Sequence, residues 1–343
     1  MSLEILAAGV VMAGLIAYAM FGGADFGGGV WTALASGPRG ARQREAIFQA
    51  MGPVWETNHV WLILVLVTLW TAFPTAFAYL FTALFVPLSI ALLGIVFRGA
   101  AFAYRHFGAS EGTELPATGL VFSVASILTP LFMGFAIGAV AGGRIEVEDG
   151  NVVSGYVSPW VQPFALACGL IAVAICGFLT ACYMTARTDG ALREDFRRRA
   201  LASSVVLGGL TTAAIAIAYW NAEAFWDRLS APGPIVVMLL AVAGGIASLI
   251  VLWRGLWPLV PPVAAGTVAL VIAAWGAAQY PYFILPSERI SDVAANDTTL
   301  RFFLVALPIG SLILVPSLVL LYWTFSENTD PARRTTARGR AQR

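Results

Sequence analysis

Residues 55–104 read WETNHVWLILVLVTLWTAFPTAFAYLFTALFVPLSIALLGIVFRGAAFAY. A helix crosses the hydrocarbon core of a bilayer with about 20 largely apolar residues, so the apolar run from Ile47 to Tyr104 is too long for one crossing and suits two. Thr71-Ala72-Phe73-Pro74-Thr75 supplies a breaker in the middle, and Pro74 is expected to sit in a turn between two spanning helices. Glu56, in Trp55-Glu56-Thr57-Asn58-His59-Val60-Trp61, then leads straight into the apolar stretch Leu62 to Thr68. A charge near the bilayer centre costs about 2.5–3.5 kcal/mol even on the gentlest scale, which makes an acid there a functional candidate by default. A second acid, Asp25, interrupts another membrane-length segment.

The rest of the chain has the same character. Of its 343 residues 59% are hydrophobic and 11% charged, and the mean hydropathy is +0.81. Soluble domains run about 45–50% apolar and about 25% charged, so a soluble enzyme is excluded and an all-α polytopic membrane protein is expected. Nine spanning segments are expected near 4–35, 46–72, 76–104, 116–142, 159–186, 199–222, 233–253, 258–283 and 300–325. The net charge of +1 conceals an asymmetry, because every basic residue is an arginine. With nine crossings, 16 of the 20 fall on one side: Arg39, Arg42, Arg44, Arg98, Arg105, Arg187, Arg193, Arg197, Arg198, Arg199, Arg254 and the tail arginines 333, 334, 338, 340 and 343. By the positive-inside rule the amino terminus is expected outside and the carboxyl terminus in the cytoplasm.

Residues 1–325 are expected to form one transmembrane domain, followed by a polar, arginine-rich tail (326–343) that suits anionic headgroups. All connections are short, leaving no soluble domain to do chemistry. Met1-Ser2-Leu3-Glu4 lacks the basic start of a cleaved signal, so the first segment is expected to be retained. Cys168, Cys176 and Cys182 fall in one apolar stretch, as packing residues would, and suggest neither disulfide nor metal site.

Asp25 lies in Gly22-Gly23-Ala24-Asp25-Phe26-Gly27-Gly28-Gly29. Small residues let membrane helices approach closely, which would remove this acid from lipid. At 1.5 Å per residue Asp25 lies roughly 8 Å, and Glu56 roughly 5 Å, on the cytoplasmic side of their helix midpoints. Two acids at matched depth on adjacent helices suit a proton relay or a shared proton; the alternative is a glycine seam with an acid kept for structure. Glu56 and His59 form one Glu-x-x-His pair, half of a di-iron carboxylate motif whose other half is missing. His59 is expected to partner Glu56 or Asn58. His106 falls at or beyond the end of the third segment, so no pair of intramembrane histidines is available for a haem. Arg98 is expected either to snorkel to the interface or to pair with Glu56 or a neighbouring subunit. Tyr280-Pro281-Tyr282-Phe283-Ile284-Leu285-Pro286-Ser287 reads as an interfacial aromatic belt that could also hold a lipid or quinone ring.

The strings GGADFGGGVW (22–31), GPVWETNHVWLI (52–63), TAFPTAFA (71–78), GIVFRGAAFAYR (94–105) and YPYFILPS (280–287) together resemble subunit II of the cytochrome bd ubiquinol oxidases, including the cyanide-insensitive branch. The resemblance runs in order along nearly the whole chain. It implies two four-helix groups plus one peripheral helix, in the bacterial inner membrane. It further implies a non-haem subunit of a quinol:dioxygen oxidoreductase that stabilises a haem-bearing subunit I and contributes a cytoplasmic proton-uptake path. Asp25 and Glu56 match the family's motif acids on that path, with Trp55, Asn58, His59 and Arg98 in support. Gly22 stands where some members carry another acid, and Glu56 and His59 where some carry Asp and Gln. Haems b and d are expected in the partner and none in this chain; a structural quinone, small single-helix subunits and membrane lipid are compatible partners, and no nucleic acid is expected. The competing reading is a stand-alone proton-coupled secondary transporter, which buried acids and proline-bearing helices (Pro87, Pro130, Pro308) would suit. It lacks the expected repeat symmetry. A scaffold whose acids only pack is the third reading.

Overall fold

The computed structural model describes residues 2–51, 55–111 and 117–327, with side chains at 2–50, 58–104 and 118–320. Backbone amides have no water to bond in hydrocarbon, so a chain this apolar must satisfy them within helices. In order, α1 (Leu3–Ala33), α2 (Gly40–Met51), α3 (Trp55–Ala72), α4 (Pro74–Ala83), α5 (Phe85–Glu111) and α6 (Ala117–Ala141) precede a hairpin of β1 (Val147–Glu148) and β2 (Asn151–Val152). Then come α7 (Pro163–Arg187), α8 (Gly190–Asn221), α9 (Glu223–Leu229), α10 (Pro232–Trp253) and, after a 3-10 turn at Trp257–Leu259, α11 (Val260–Gln279). A second hairpin, β3 (Tyr282–Ile284) and β4 (Glu288–Arg289), leads to α12 (Asp297–Glu327). Among the described residues eight helices are long and apolar enough to span a membrane, and counting the bent pair α3–α4 as one span makes nine.

Counted in this way the spans agree with the expected nine, with differences at the second, third, sixth and eighth; the sixth, expected to open at residue 199, is a helix from Gly190. In the second expected segment, 46–72, residues up to Met51 belong to α2, whose Arg42, Arg44 and Glu45 suit an interface rather than lipid, and α3 is described from Trp55. The third, 76–104, is two elements, since α4 turns through 118° from α3 and the span proper starts at Phe85. The eighth stops at Gln279, where the aromatic belt folds into a hairpin pairing Tyr282 with Arg289 and Ile284 with Glu288. The bend at Phe73–Pro74 has a local cause. Pro74 lacks an N–H and opens α4 at its first turn. Phe73 departs from helical geometry, is fully buried, and packs tilted against Phe283 with ring centroids 4.8 Å apart. The Ala295 amide donates to the Ala72 carbonyl at 2.8 Å, so the loop before α12 satisfies a carbonyl that the ended helix leaves free.

The first four spans (α1, α3–α4, α5, α6) and the next four (α7, α8, α10, α11) form two groups that meet chiefly along α7, which packs against both α6 and α1. The ninth, α12, is peripheral: its apolar window buries none of its residues, and it touches mainly α1 and α3. Residues 328–343 of the expected tail lie outside the described residues. Side chains confirm which loops share an end. Arg39 pairs with Asp195 at 2.6 Å, and Arg197 donates to the Leu252 and Trp253 carbonyls at 2.9 Å, bringing the turns after α1, α7 and α10 together. At the opposite end the Leu285 amide meets the Val140 carbonyl at 3.3 Å, and Arg228 Nε donates to the Ala278 carbonyl at 3.2 Å.

This parity makes the topology testable. Cysteines introduced at positions 40 and 190 are expected to react with an impermeant maleimide only from the cytoplasm, and those at 150 and 294 only from outside. Labelling of 40 and 190 from opposite faces would break the arrangement.

Candidate functional site

The site begins with how closely α1 approaches its neighbours. A Cβ on Gly27 would lie 1.9 Å from the Cys176 carbonyl oxygen of α7, and one on Gly29 would lie 2.1 Å from Ser126 Cβ of α6. Side-chain bonds secure the contact: Thr180 Oγ1 donates to the Ala24 carbonyl at 2.5 Å and Trp31 Nε1 to the Gly177 carbonyl at 2.7 Å. Asp25, between these two glycines and Ala24, is thereby only 6% exposed.

Three spans contribute the polar groups. Asn58, in the second turn of α3, is itself buried and donates from Nδ2 to Asp25 Oδ2. Arg98 of α5 is 1% exposed, its guanidinium carbon 5.0 Å from the Phe26 ring centroid and 5.4 Å from that of Phe122. Arg98 therefore does not snorkel. Asp25 and Arg98 interact electrostatically without a salt bridge within 4 Å, and Arg98 Nε and Nη2 have no hydrogen-bond partner among the described residues. His59 accepts or donates at Nδ1 with the Tyr18 hydroxyl at 3.5 Å and lies edge-on to Phe26. A carboxylate with one oxygen held by an amide, the other uncommitted by any described hydrogen bond, and a cation close enough to act on it has the makings of a reversible proton carrier. Among the described residues no three His, Cys, Asp or Glu converge as a metal site would require.

The sequence and fold agree with one family. A model of the cytochrome bd terminal oxidase subunit II family matches residues 3–325. The chain belongs to that family. The cytochrome bd-I ubiquinol oxidase subunit 2 of Escherichia coli (strain K12) is 25% identical over 342 residues, covering 90% of this chain and 89% of that one. The cytochrome bd ubiquinol oxidase subunit 2 of Bacillus subtilis (strain 168) is 24% identical over 219 residues, spanning 64% of this chain and 63% of its own length. The structure of the bd oxidase from Geobacillus thermodenitrificans contains a chain of the same fold, with a TM-score of 0.79 at 23% identity over 96% of this chain and 100% of that one. As a bd subunit II with eight membrane-length helices and one bent pair among its described residues, the protein is a multi-pass component of the bacterial inner membrane.

Of the residues expected to matter, Asp25, Asn58, His59 and Arg98 are brought together in this bd subunit II. The side chains of Glu56 and Trp55 lie outside the described residues, although both positions belong to the first turn of α3. His106 likewise has no described side chain. His59 turns to Tyr18, a partner that sequence reasoning missed. Tyr18 lies seven residues before Asp25, one helical face with Gly22 between, so the i, i+4, i+7 spacing carried the signal. Its ring lies over Gly22, where an added Cβ would come within 2.9 Å of Tyr18 Cε2. Space at 22 is thus already taken by an aromatic ring in this chain. Ser126 and Thr180 were also missed, since a single hydroxyl in an apolar helix carries no mark of which neighbour it meets.

Gly27→Ala is expected to lower the thermal stability of the purified protein by about 1–3 kcal/mol, because backbone oxygen cannot yield as a side chain can. Gly9→Ala, on the same helix with nothing within 4 Å of the added carbon, is the control expected to be near neutral. Equal effects in a melting experiment would show that the approach of α1 to α7 is not limiting.

Proposed function

We propose that this chain is the non-haem subunit of a quinol oxidase, stabilising a haem-bearing subunit I and conducting protons from the cytoplasm through Glu56 and Asp25. The observation that supports it best is Asp25 itself, an acid kept from lipid by a glycine seam and faced by an asparagine donor and an arginine. Reduction of one dioxygen to two waters consumes four electrons and four protons, and two quinols release the four electrons as they become quinones. Haems in the partner would supply the electron transfer and oxygen reduction. What falls to this chain is proton supply.

In that role Asn58 fixes Oδ2, so the proton is taken and released at Oδ1. The nearby guanidinium offsets the charge that Asp25 carries between the two events, which lipid alone would make prohibitive. Arg98 lies over Phe26 and Phe122 rather than in a tight pair, so the acid is supported without being locked in the ionised form. Glu56, on the first turn of α3 and two residues before Asn58, is the donor on the cytoplasmic side in this reading. The amino terminus outside and the arginine-rich end in the cytoplasm set its direction.

Glu56→Gln and Asp25→Asn keep shape but cannot exchange a proton. Each is expected to slow quinol-driven oxygen uptake per haem by about tenfold or more, with Glu56→Asp intermediate and haem content nearly normal. Full turnover and full proton uptake in the double variant would leave these acids a packing role only. A separate expectation is that the chain, expressed and purified without its partner, shows no Soret band; a stoichiometric haem lost in His59→Ala would overturn the assignment of haem to subunit I.

A further inference from the structure

Helix α2, 12 residues long, is not among the membrane-length helices, yet it is tied down at both ends by the second group of helices. At its start Arg39 makes a bidentate pair with Asp195 of α8, Nε to Oδ2 at 2.7 Å and Nη2 to Oδ1 at 2.6 Å. Gln43 Nε2 donates to the same Oδ2 at 2.9 Å, and Gln43 Oε1 accepts from Arg199 Nη2 at 2.6 Å. Arg199 is fixed in turn by the Trp31 and Phe196 rings, 5.0 and 5.4 Å away. At the other end Arg187, the last residue of α7, donates from Nη1 to the Ala50 carbonyl at 2.8 Å.

Gln43, Ile47 and Ala50 follow i, i+4, i+7 spacing and so line one face of α2. Ile47, 1% exposed, packs from that face into a layer with Ala101, Phe102, Phe122, Met184 and Phe196. Phe122 is also a ring over which Arg98 lies. The layer therefore connects α2 directly to the surroundings of Asp25. By chain connectivity α2 also leads, four residues after Met51, into α3, whose second turn carries Asn58.

We propose that Asp195, acting through Arg39 and Gln43, is a positioning residue that holds α2 against the bundle and so fixes the α3 start and the Asn58–Asp25 bond for proton transfer. This rests on the proton-path reading above. A bidentate arginine–carboxylate pair is directional as well as strong, and Gln43 brings Arg199 into the same network. Asp195 touches neither substrate nor the carrier acid, and its effect on turnover passes through the placement of α2.

The test uses the purified oxidase complex with two measurements, amide hydrogen exchange across residues 40–51 and quinol-driven oxygen uptake in H2O and D2O. Asp195→Asn is expected to speed exchange in α2 about tenfold and to slow oxygen uptake with an enlarged solvent isotope effect at unchanged haem content. Asp195→Glu is expected to restore both. If Asp195→Asn does not assemble, Gln43→Ala is read in the same two ways. Faster exchange with wild-type uptake and isotope effect would overturn the proposal, as would unchanged exchange. Glu56→Gln is measured alongside. Slow uptake in Glu56→Gln with wild-type behaviour in Asp195→Asn removes the positioning role alone, whereas wild-type uptake in Glu56→Gln removes the proton path and the positioning role together.

Discussion

The backbone-to-backbone approach of α1 to α7 at Gly27 is the contact on which the rest depends. In lipid no hydrophobic force draws helices together, because the tails are as apolar as the side chains. Close packing must do it, and at Gly27 the Cys176 carbonyl occupies the place a side chain would need. The same glycine run faces α6 at Gly29. With α6 and α7 this close, the inner side of α1 is shut off from lipid, and Asp25 can exist there as an acid. The glycines that would weaken a soluble helix are here what makes the ionisable site affordable.

Closure creates an electrostatic problem that the neighbouring spans answer. A fully buried carboxylate without partners would simply stay protonated. Asn58 offers a fixed donor and Arg98 a nearby charge. Arg98 in turn could not remain buried as a bare cation, and the faces of Phe26 and Phe122 give it partial compensation. Phe26 is the residue after Asp25, so one turn of α1 carries both the acid and part of the support for its counter-charge. Residues from α1, α3, α5 and α6 are required at once, which explains why the first four spans form one group around this point.

Much of this was legible in the sequence. Hydropathy and the arginine distribution give nine crossings and their parity because both are summed over many residues and tolerate local error. The grouping of Asp25, Asn58 and Arg98 was legible only as a set of polar residues at membrane depth. The arginine's burial was not, because snorkelling and burial differ by which rings lie above the guanidinium, and that is set by α1 and α6 together. The bend at Phe73 was read as a simple turn. Pro74 marks where helix geometry ends, but the angle is set by Phe73 packing on Phe283 and by the Ala295 amide reaching Ala72, contacts more than 200 residues away in sequence. Residues 46–51 of α2 are read with the following span for a related reason. Ile47 and Phe48 are as apolar as span residues, and only their company of Arg42, Arg44 and Glu45 marks them as interfacial.

The polar network at the arginine-rich end then acquires a structural meaning beyond orientation. The positive-inside rule treats arginines as counters, each equivalent to the next. In the folded chain they are not equivalent: Arg39 and Arg199 close on Asp195 and Gln43, Arg187 reaches the end of α2, and Arg197 reaches the end of α10. Each of these bonds joins elements that no loop connects directly. These arginines lie at the level where helix ends present unsatisfied carbonyls, so the residues that the positive-inside rule counts are also the ones placed to lock the helices together. Packing at this end thus draws on the same charge distribution that the rule reads, and a substitution that removes one of these arginines removes a bond between helices as well as a charge.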